Sequence, residues 1–188
     1  MNYSQINTPN VLLEYMKTNI RYGFLGKNGK KYYDSNSIEW NDWQEECFVQ
    51  SGEEVLESKI GTCWDQVEFE RMWFEQKNYI FKTLFIWFEV GRQNSLPSHT
   101  FLLYEHNNKW YWFENAFEAN RGIHEYRSVE EAIEDIKNKQ IEFASHNTEF
   151  REEDKQTLVC YEYGKPSPHL GVNEYLDFVT ENEYKKLA

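Results

Sequence analysis

Gly61-Thr62-Cys63-Trp64-Asp65-Gln66-Val67-Glu68-Phe69-Glu70-Arg71 opens as a loop and continues as a helix. Thr62 followed three positions later by Asp65 is the pattern of a capping box, in which hydroxyl and carboxylate each satisfy a free amide of the first turn. With Thr62 as the cap, Cys63 is the first helical residue. Its sulfur then stands at the positive end of the helix dipole, where free amides stabilise a thiolate. Gly61 has no side chain, so the backbone just ahead of the sulfur is open to a substrate. A buried, inert cysteine at a helix start has the same local pattern, and this stretch alone leaves the two readings level.

The rest of the composition bears on which reading to pursue. At 188 residues, with 7 Trp, 13 Tyr and 13 Phe, the chain has the length and the apolar bulk for one folded domain with a real core. Its net charge of −12 argues against nucleic acid, which needs a basic surface to release counterions, and against an anionic membrane surface. Cys47, Cys63 and Cys160 stand far apart with no Cys-x-x-Cys pair, so zinc-knuckle and dithiol redox chemistry are not expected. The odd count leaves a free thiol, which fits a reducing, cytoplasmic compartment. The amino terminus shows no basic region followed by an apolar run, and the densest apolar run, Leu84 to Phe88, suits one buried strand rather than a membrane span.

Outward from the cysteine, turn and cap signals divide the chain. Thr8-Pro9 starts a helix that ends before Tyr22-Gly23-Phe24, and Gly26 to Asn36 is turn-rich around Tyr32-Tyr33. Trp40, Trp43 and Phe48 fall in a segment read as irregular, with its bulk destined for the core. Ser51 with Glu54 is a second capping box, opening a short helix that delivers the chain to Gly61. The cysteine helix carries apolar residues on more than one stripe, so it is expected to be central, with Asp65, Glu68 and Glu70 as helix supports. Lys82 to Val90 reads as a strand, 91–98 as a loop, and His99 to Glu105 and Trp110 to Asn115 as two further strands about a tight turn. Ser128 with Glu131 marks a helix from Val129 to about Lys139. Thr157 to Tyr163 is a last strand, and the tail from Val172 to Leu187 docks through Tyr175, Leu176 and Phe178.

The hairpin permits a calculation. A two-residue Asn107-Asn108 turn, which tolerates positive φ, sets Tyr104 opposite Tyr111, Phe101 opposite Glu114 and His99 opposite Ala116. Side chains alternate along strands, so His99, Phe101 and Glu114 share a face, with His99 and Glu114 as diagonal neighbours at roughly 7 Å between Cα atoms. An odd-length turn would reverse this and bring Asn115 to the histidine instead. The even turn selects Glu114. A carboxylate that orients a histidine and stabilises its cation lets that histidine hold a nearby thiol as thiolate and later protonate a leaving group. His106, His124, His146 and His169 sit in turns or loops without such a strand partner. No two candidate ligands have metal-site spacing, so no metal or other cofactor is expected.

The order Gly61, Cys63, Trp64, then a strand beginning at His99, then a tryptophan-rich return strand ending in Glu114, resembles the transglutaminase-like superfamily, a branch of the papain-like cysteine enzymes. The resemblance spans roughly residues 51 to 115. It implies an α+β fold with the cysteine at the N-terminus of a central helix packed on an antiparallel sheet. The whole of 1–188 is then one such domain, with its core at 51–163 and the N-terminal helix and C-terminal segment packed on it. It also implies thiol-dependent amide acyl transfer or hydrolysis of a peptide or protein substrate through Cys63, His99 and Glu114. The family's usual third member is Asp, where this chain has Glu. Implied too is an oxyanion hole that includes the Cys63 amide, with Trp40, Trp43 and Gln44 as candidates for its second donor. The competing reading is a non-catalytic peptide- or protein-binding module on the same fold, its aromatics lining a groove and Cys63 a relic.

Overall fold

The computed structural model describes residues 3–33, 40–90, 96–181 and 186–187. The chain opens with α1 (Pro9–Asn19), β1 (Arg21–Tyr22), β2 (Phe24–Leu25) and β3 (Lys31–Tyr32). There follow α2 (Trp40–Glu46), α3 (Gly52–Ser58), β4 (Ile60–Gly61) and α4 (Cys63–Gln76). The strands β5 (Phe81–Phe88), β6 (His99–His106), β7 (Lys109–Glu114) and β8 (Gly122–Tyr126) come next. The last elements are α5 (Val129–Ala144), β9 (Leu158–Tyr163), α6 (Val172–Glu181) and β10 (Lys186–Leu187). This is a mixed α+β architecture. Its main sheet is antiparallel throughout, in the order β10-β9-β5-β6-β7-β8.

The caps explain several of the boundaries. Thr8 accepts the Val11 amide with Pro9 at the first helical position, as its sequence suggests. Ser51 and Glu54 form the reciprocal box of α3: the Glu54 amide donates to Ser51 Oγ and the Ser51 amide to Glu54 Oε2. Lys59 then turns the chain at φ 61°. Ser128 caps α5, but the Glu131 carboxylate reaches one residue further back, to the Arg127 amide and guanidinium, so the expected third box is only half formed. α5 itself runs on past Lys139 to Ala144, because Gln140 and Ala144 continue its buried face.

Two apolar layers hold the sheet. On one face Leu102, Tyr104 and Phe113 pack with Phe69, Trp73 and Phe74 of α4, backed by Leu12 and Met16 of α1 and Val55 of α3. On the other face Phe101, Leu103 and Trp112 pack with Ala132, Ile133 and Ile136 of α5. Every residue of α4 from Trp64 to Phe74 is buried, so the cysteine helix is central, as its all-round apolar pattern suggests. Two of the charged residues it buries are paired: Arg71 donates to Glu68 at 3.0 Å, and also to Thr83 Oγ1 and the Gly164 carbonyl.

Three elements depart from expectation. The Trp40–Phe48 segment is not irregular, since α2 occupies its first part and places Trp43 against Trp64, ring centroids 5.8 Å apart. β8 adds a strand beyond β7 that no alternation in Gly122–Tyr126 announces. β1 pairs in parallel with β4, tying the segment after α1 to the residues before the cysteine. Residues 34–36 of the expected turn and 91–95 of the expected loop lie outside the described residues. Among the described residues no helix is long and apolar enough to cross a membrane.

Candidate active site

The start of α4 is built by Asp65. Its Oδ2 accepts the Thr62 amide at 2.8 Å and the Thr62 hydroxyl at 2.9 Å, while Oδ1 accepts the Gln50 amide at 2.8 Å. Burial raises this carboxyl to about 7 against those three donors, which all favour its charged form. The box therefore does more than cap a helix: it ties the incoming strand, the loop and the first turn into one unit. Cys63 is the first residue of that turn and half-buried, whereas Cys47 and Cys160 are buried; all three are free thiols.

The hairpin forms in the register of the even turn. Asn107 and Asn108 have φ of 53° and 60°, and Tyr104 lies opposite Tyr111, Leu102 opposite Phe113. By alternation His99 continues the face of Phe101, on whose ring it stacks at 6.2 Å. His99 Nε2 meets Glu114 Oε2 at 2.7 Å, and both side chains are almost completely buried, 8% and 2% exposed. The Cys63 side chain lies near enough to the ring to favour its charged form. With Nε2 taken by Glu114, Nδ1 is the atom left for the sulfur. As the first residue of β6, His99 stands where the sheet ends, beside the start of α4.

Glu114 is held from three directions. Oε2 also accepts the Trp112 indole at 3.1 Å, and Oε1 accepts the Phe117 amide at 2.6 Å. Asn115, the residue an odd turn would have offered, faces away and donates to Gln66 Oε1 at 2.6 Å. Gln66 in turn donates to the Gly61 carbonyl at 2.9 Å, so Asn115 braces the cysteine loop rather than the imidazole.

Electrostatics follow from these contacts. Desolvation alone would lower the His99 pKa, but the Glu114 charge, the nearby Cys63 and the hydrogen bond to Glu114 outweigh it and lift the ring to about 10. His99 is thus a cation at neutral pH, next to a sulfur and a carboxylate. Glu70, one turn and more along α4, is buried near both His99 and Glu114. Desolvation first, then the Glu114 charge, pushes its carboxyl well above the ordinary range, and its Oε2 has no hydrogen-bond partner. Glu70 is therefore biased by burial towards its neutral form, behind the site. Cys47 and Cys160 are raised by burial, the latter to about 12.

Of the residues singled out in the sequence, Cys63, His99 and Glu114 come together. Of the three candidates for a second donor near the sulfur, Trp43 is engaged in stacking on Trp64 and edge-on contact with Phe24, and the Trp40 side chain lies outside the described residues. Two neighbours of the site had no sequence signal. Phe117 lies edge-on to His99 at 5.5 Å and against the exposed Phe143. Tyr22 lies opposite Gly61, two residues before Cys63, in the β1–β4 pairing. Two hollows elsewhere, one at the turn end of the β6–β7 hairpin and one beside Gln50 and Lys165, do not include Cys63. Among the described residues no cluster of three potential metal ligands is present. The chain matches no protein-family model and no curated protein.

Proposed function

We propose that this chain is a thiol-dependent amide acyl transferase or hydrolase built on a transglutaminase-like, papain-related core. The observation that carries this reading is the buried His99, gripping Glu114 at 2.7 Å, with the Cys63 side chain close enough to act on its charge. A nucleophile at a helix start, a base beside it and an acid that orients the base satisfy the requirements of nucleophilic acyl transfer.

In the proposed reaction the Cys63 sulfur adds to a carbonyl carbon while the charged His99 stands ready to protonate the departing amine. A thioester remains. Water, activated by the now neutral imidazole, hydrolyses it; an amine in place of water gives a cross-link. Glu114 keeps the ring oriented and offsets its positive charge through both steps. The glutamate is one methylene longer than the aspartate usual in the resembled family, and the Trp112 indole and Phe117 amide supply the extra anchorage that this length requires. The substrate class is a peptide or protein amide. Free-thiol chemistry of this kind belongs in a reducing compartment.

The test is formation of an acyl-enzyme. The protein is incubated with a glutamine-containing peptide mixture, with and without a primary amine, then quenched in acid and weighed intact. A thioester on Cys63, absent from Cys63→Ala and His99→Ala, is the expected result. The two substitutions acting as a unit should not add. Peptide binding without any adduct in the wild type would instead identify a non-catalytic binding module.

A further inference from the structure

We infer that Tyr22 supplies the second hydrogen-bond donor of the oxyanion hole, its phenol working with the backbone amide of Cys63. The inference rests on the acyl-transfer reading above and deepens it.

The backbone places the side chain. β1 and β4 pair in parallel with Tyr22 opposite Gly61, fixed by Arg21 N to Lys59 O at 3.0 Å and Gly23 N to Gly61 O at 3.3 Å. Partners in a pair project to the same face of the sheet. The face at Gly61 is known, because a Cβ built there would point at Asp65 Cβ, 2.8 Å away, and towards Gln66 at 3.5 Å. That is the first turn of α4. Tyr22 therefore projects towards the turn that carries Cys63, across a partner that has no side chain to obstruct it. The chain then leaves sharply: Gly23 adopts φ 147°, and a Cβ there would lie 2.2 Å from the Tyr32 carbonyl. Only glycine permits this exit, which keeps β1 on β4.

The surroundings of the phenol agree with that placement. Tyr22 is 53% exposed, so a substrate can reach it. Its hydroxyl is nevertheless raised far above the ordinary tyrosine value, first by the protein around it and then by Cys63, Asp65, Glu114 and Cys47. The groups that act on the phenol are those around the nucleophile, in keeping with the side of β1 to which the backbone assigns it. Raised in this way, the phenol stays protonated and remains a donor across the working pH range.

The first donor follows from helix geometry. Cys63, as the first residue of α4, has an amide with no helical acceptor. When the sulfur adds to a carbonyl carbon, the C=O π pair moves to oxygen. The resulting oxyanion needs donors that are already in place, and collapse of the intermediate re-forms the C=O bond and expels the leaving group. Tyr22 touches neither the sulfur's electron pair nor the proton on His99 in this scheme; it acts on the oxygen alone.

The experiment compares two reactions of the same sulfur. Acetylation by p-nitrophenyl acetate passes through an oxyanion, forming the acetyl-Cys63 thioester and releasing p-nitrophenolate. Alkylation by iodoacetamide displaces iodide and has no oxyanion. For Tyr22→Phe the acetylation burst should slow by roughly 10²-fold, while the rate and pH profile of Cys63 alkylation stay those of the wild type. The unchanged alkylation also reports an intact site. Unchanged acetylation overturns the inference and leaves the acyl-transfer reading standing. An equal fall in both rates overturns it too, because Tyr22 then acts on the thiolate. A wild-type protein whose Cys63 alkylates rapidly but never acetylates removes both readings together.

Discussion

Glu114→Gln separates the charge of the acid from its shape. In the wild type two carboxylate oxygens serve three donors: the His99 ring and the Trp112 indole on Oε2, and the Phe117 amide on Oε1. A glutamine oriented with its oxygen at the Oε2 position keeps the first two and sets its NH2 against the Phe117 N–H. The ring thus stays in place, but the negative charge that opposes its desolvation is gone. His99 should then titrate at or below its ordinary 6.5 instead of at about 10. At about 1.4 kcal/mol for each tenfold step, the difference is of order 5 kcal/mol, nearly all of it available because the pair is buried.

Two assays read this. The first follows the His99 Cε1–H resonance with pH, which should move its midpoint from about 10 to below about 7. At pH 8 the wild-type ring is then almost wholly charged and the variant's almost wholly neutral. The second is urea unfolding against pH. Folding raises the affinity of the ring for its proton, so this stabilisation is fully present below pH 6.5 and fades as pH climbs through about 10. The variant should therefore fall furthest behind the wild type on the acid side of that window, with the gap closing above it. A Gln variant whose His99 still titrates above about 9 would refute the reasoning. The proton would then be held by the thiol or by Glu70, and Glu114 would be a spacer.

Further outcomes follow from the same geometry. Iodoacetamide at pH 7 should label Cys63 well ahead of Cys47 and Cys160, which are buried and raised by desolvation; peptide mass mapping reads the order. Glu70→Gln, replacing one neutral side chain by another, should leave the His99 midpoint and the alkylation profile nearly unchanged, whereas a downward shift of the midpoint would mean that Glu70 is ionised. Asn115→Ala should cost about 1–3 kcal/mol in urea unfolding by stranding Gln66 Oε1, with no change in the His99 titration. Arg71→Ala strands Glu68 in the core and should cost about 3–5 kcal/mol, most of it recovered when Glu68 is replaced in the same chain by Gln or Met.

Much of the site was legible because local chemistry decided it. The even Asn107-Asn108 turn fixes the hairpin register, and register alone determines whether Glu114 or Asn115 meets His99, since side chains alternate without exception along β7. The Thr62–Asp65 spacing likewise determines which residue begins α4. Where the reading fell short, the deciding contact lies far away in sequence. α2 is a helix although Trp40 to Glu46 has no helical stripe of its own; Trp43 is held by Trp64 and Phe24, whose positions belong to other elements. β8 exists because β7 offers it an edge, not because Gly122–Tyr126 alternates. Glu70 looked like helix trim because its helix position says nothing about what packs over it.

The same distinction explains why Tyr22 was not among the candidates for a second donor. A search along the chain from Cys63 naturally stops at nearby tryptophans, because indole N–H groups are donors and the stretch is rich in them. The β1–β4 pair is two residues long on each strand and parallel, so it carries neither a turn nor a hydrophobic alternation to announce it. Its partners are set by the exit of α1 and the αL turn at Lys59, which bring Arg21 to Lys59 and Gly23 to Gly61. Only after those two connections are made does Tyr22 fall on the face of the cysteine. A candidate nucleophile can therefore be proposed from its helix cap and a candidate base from its hairpin, but a side chain brought in through a tertiary pairing has to be found in space.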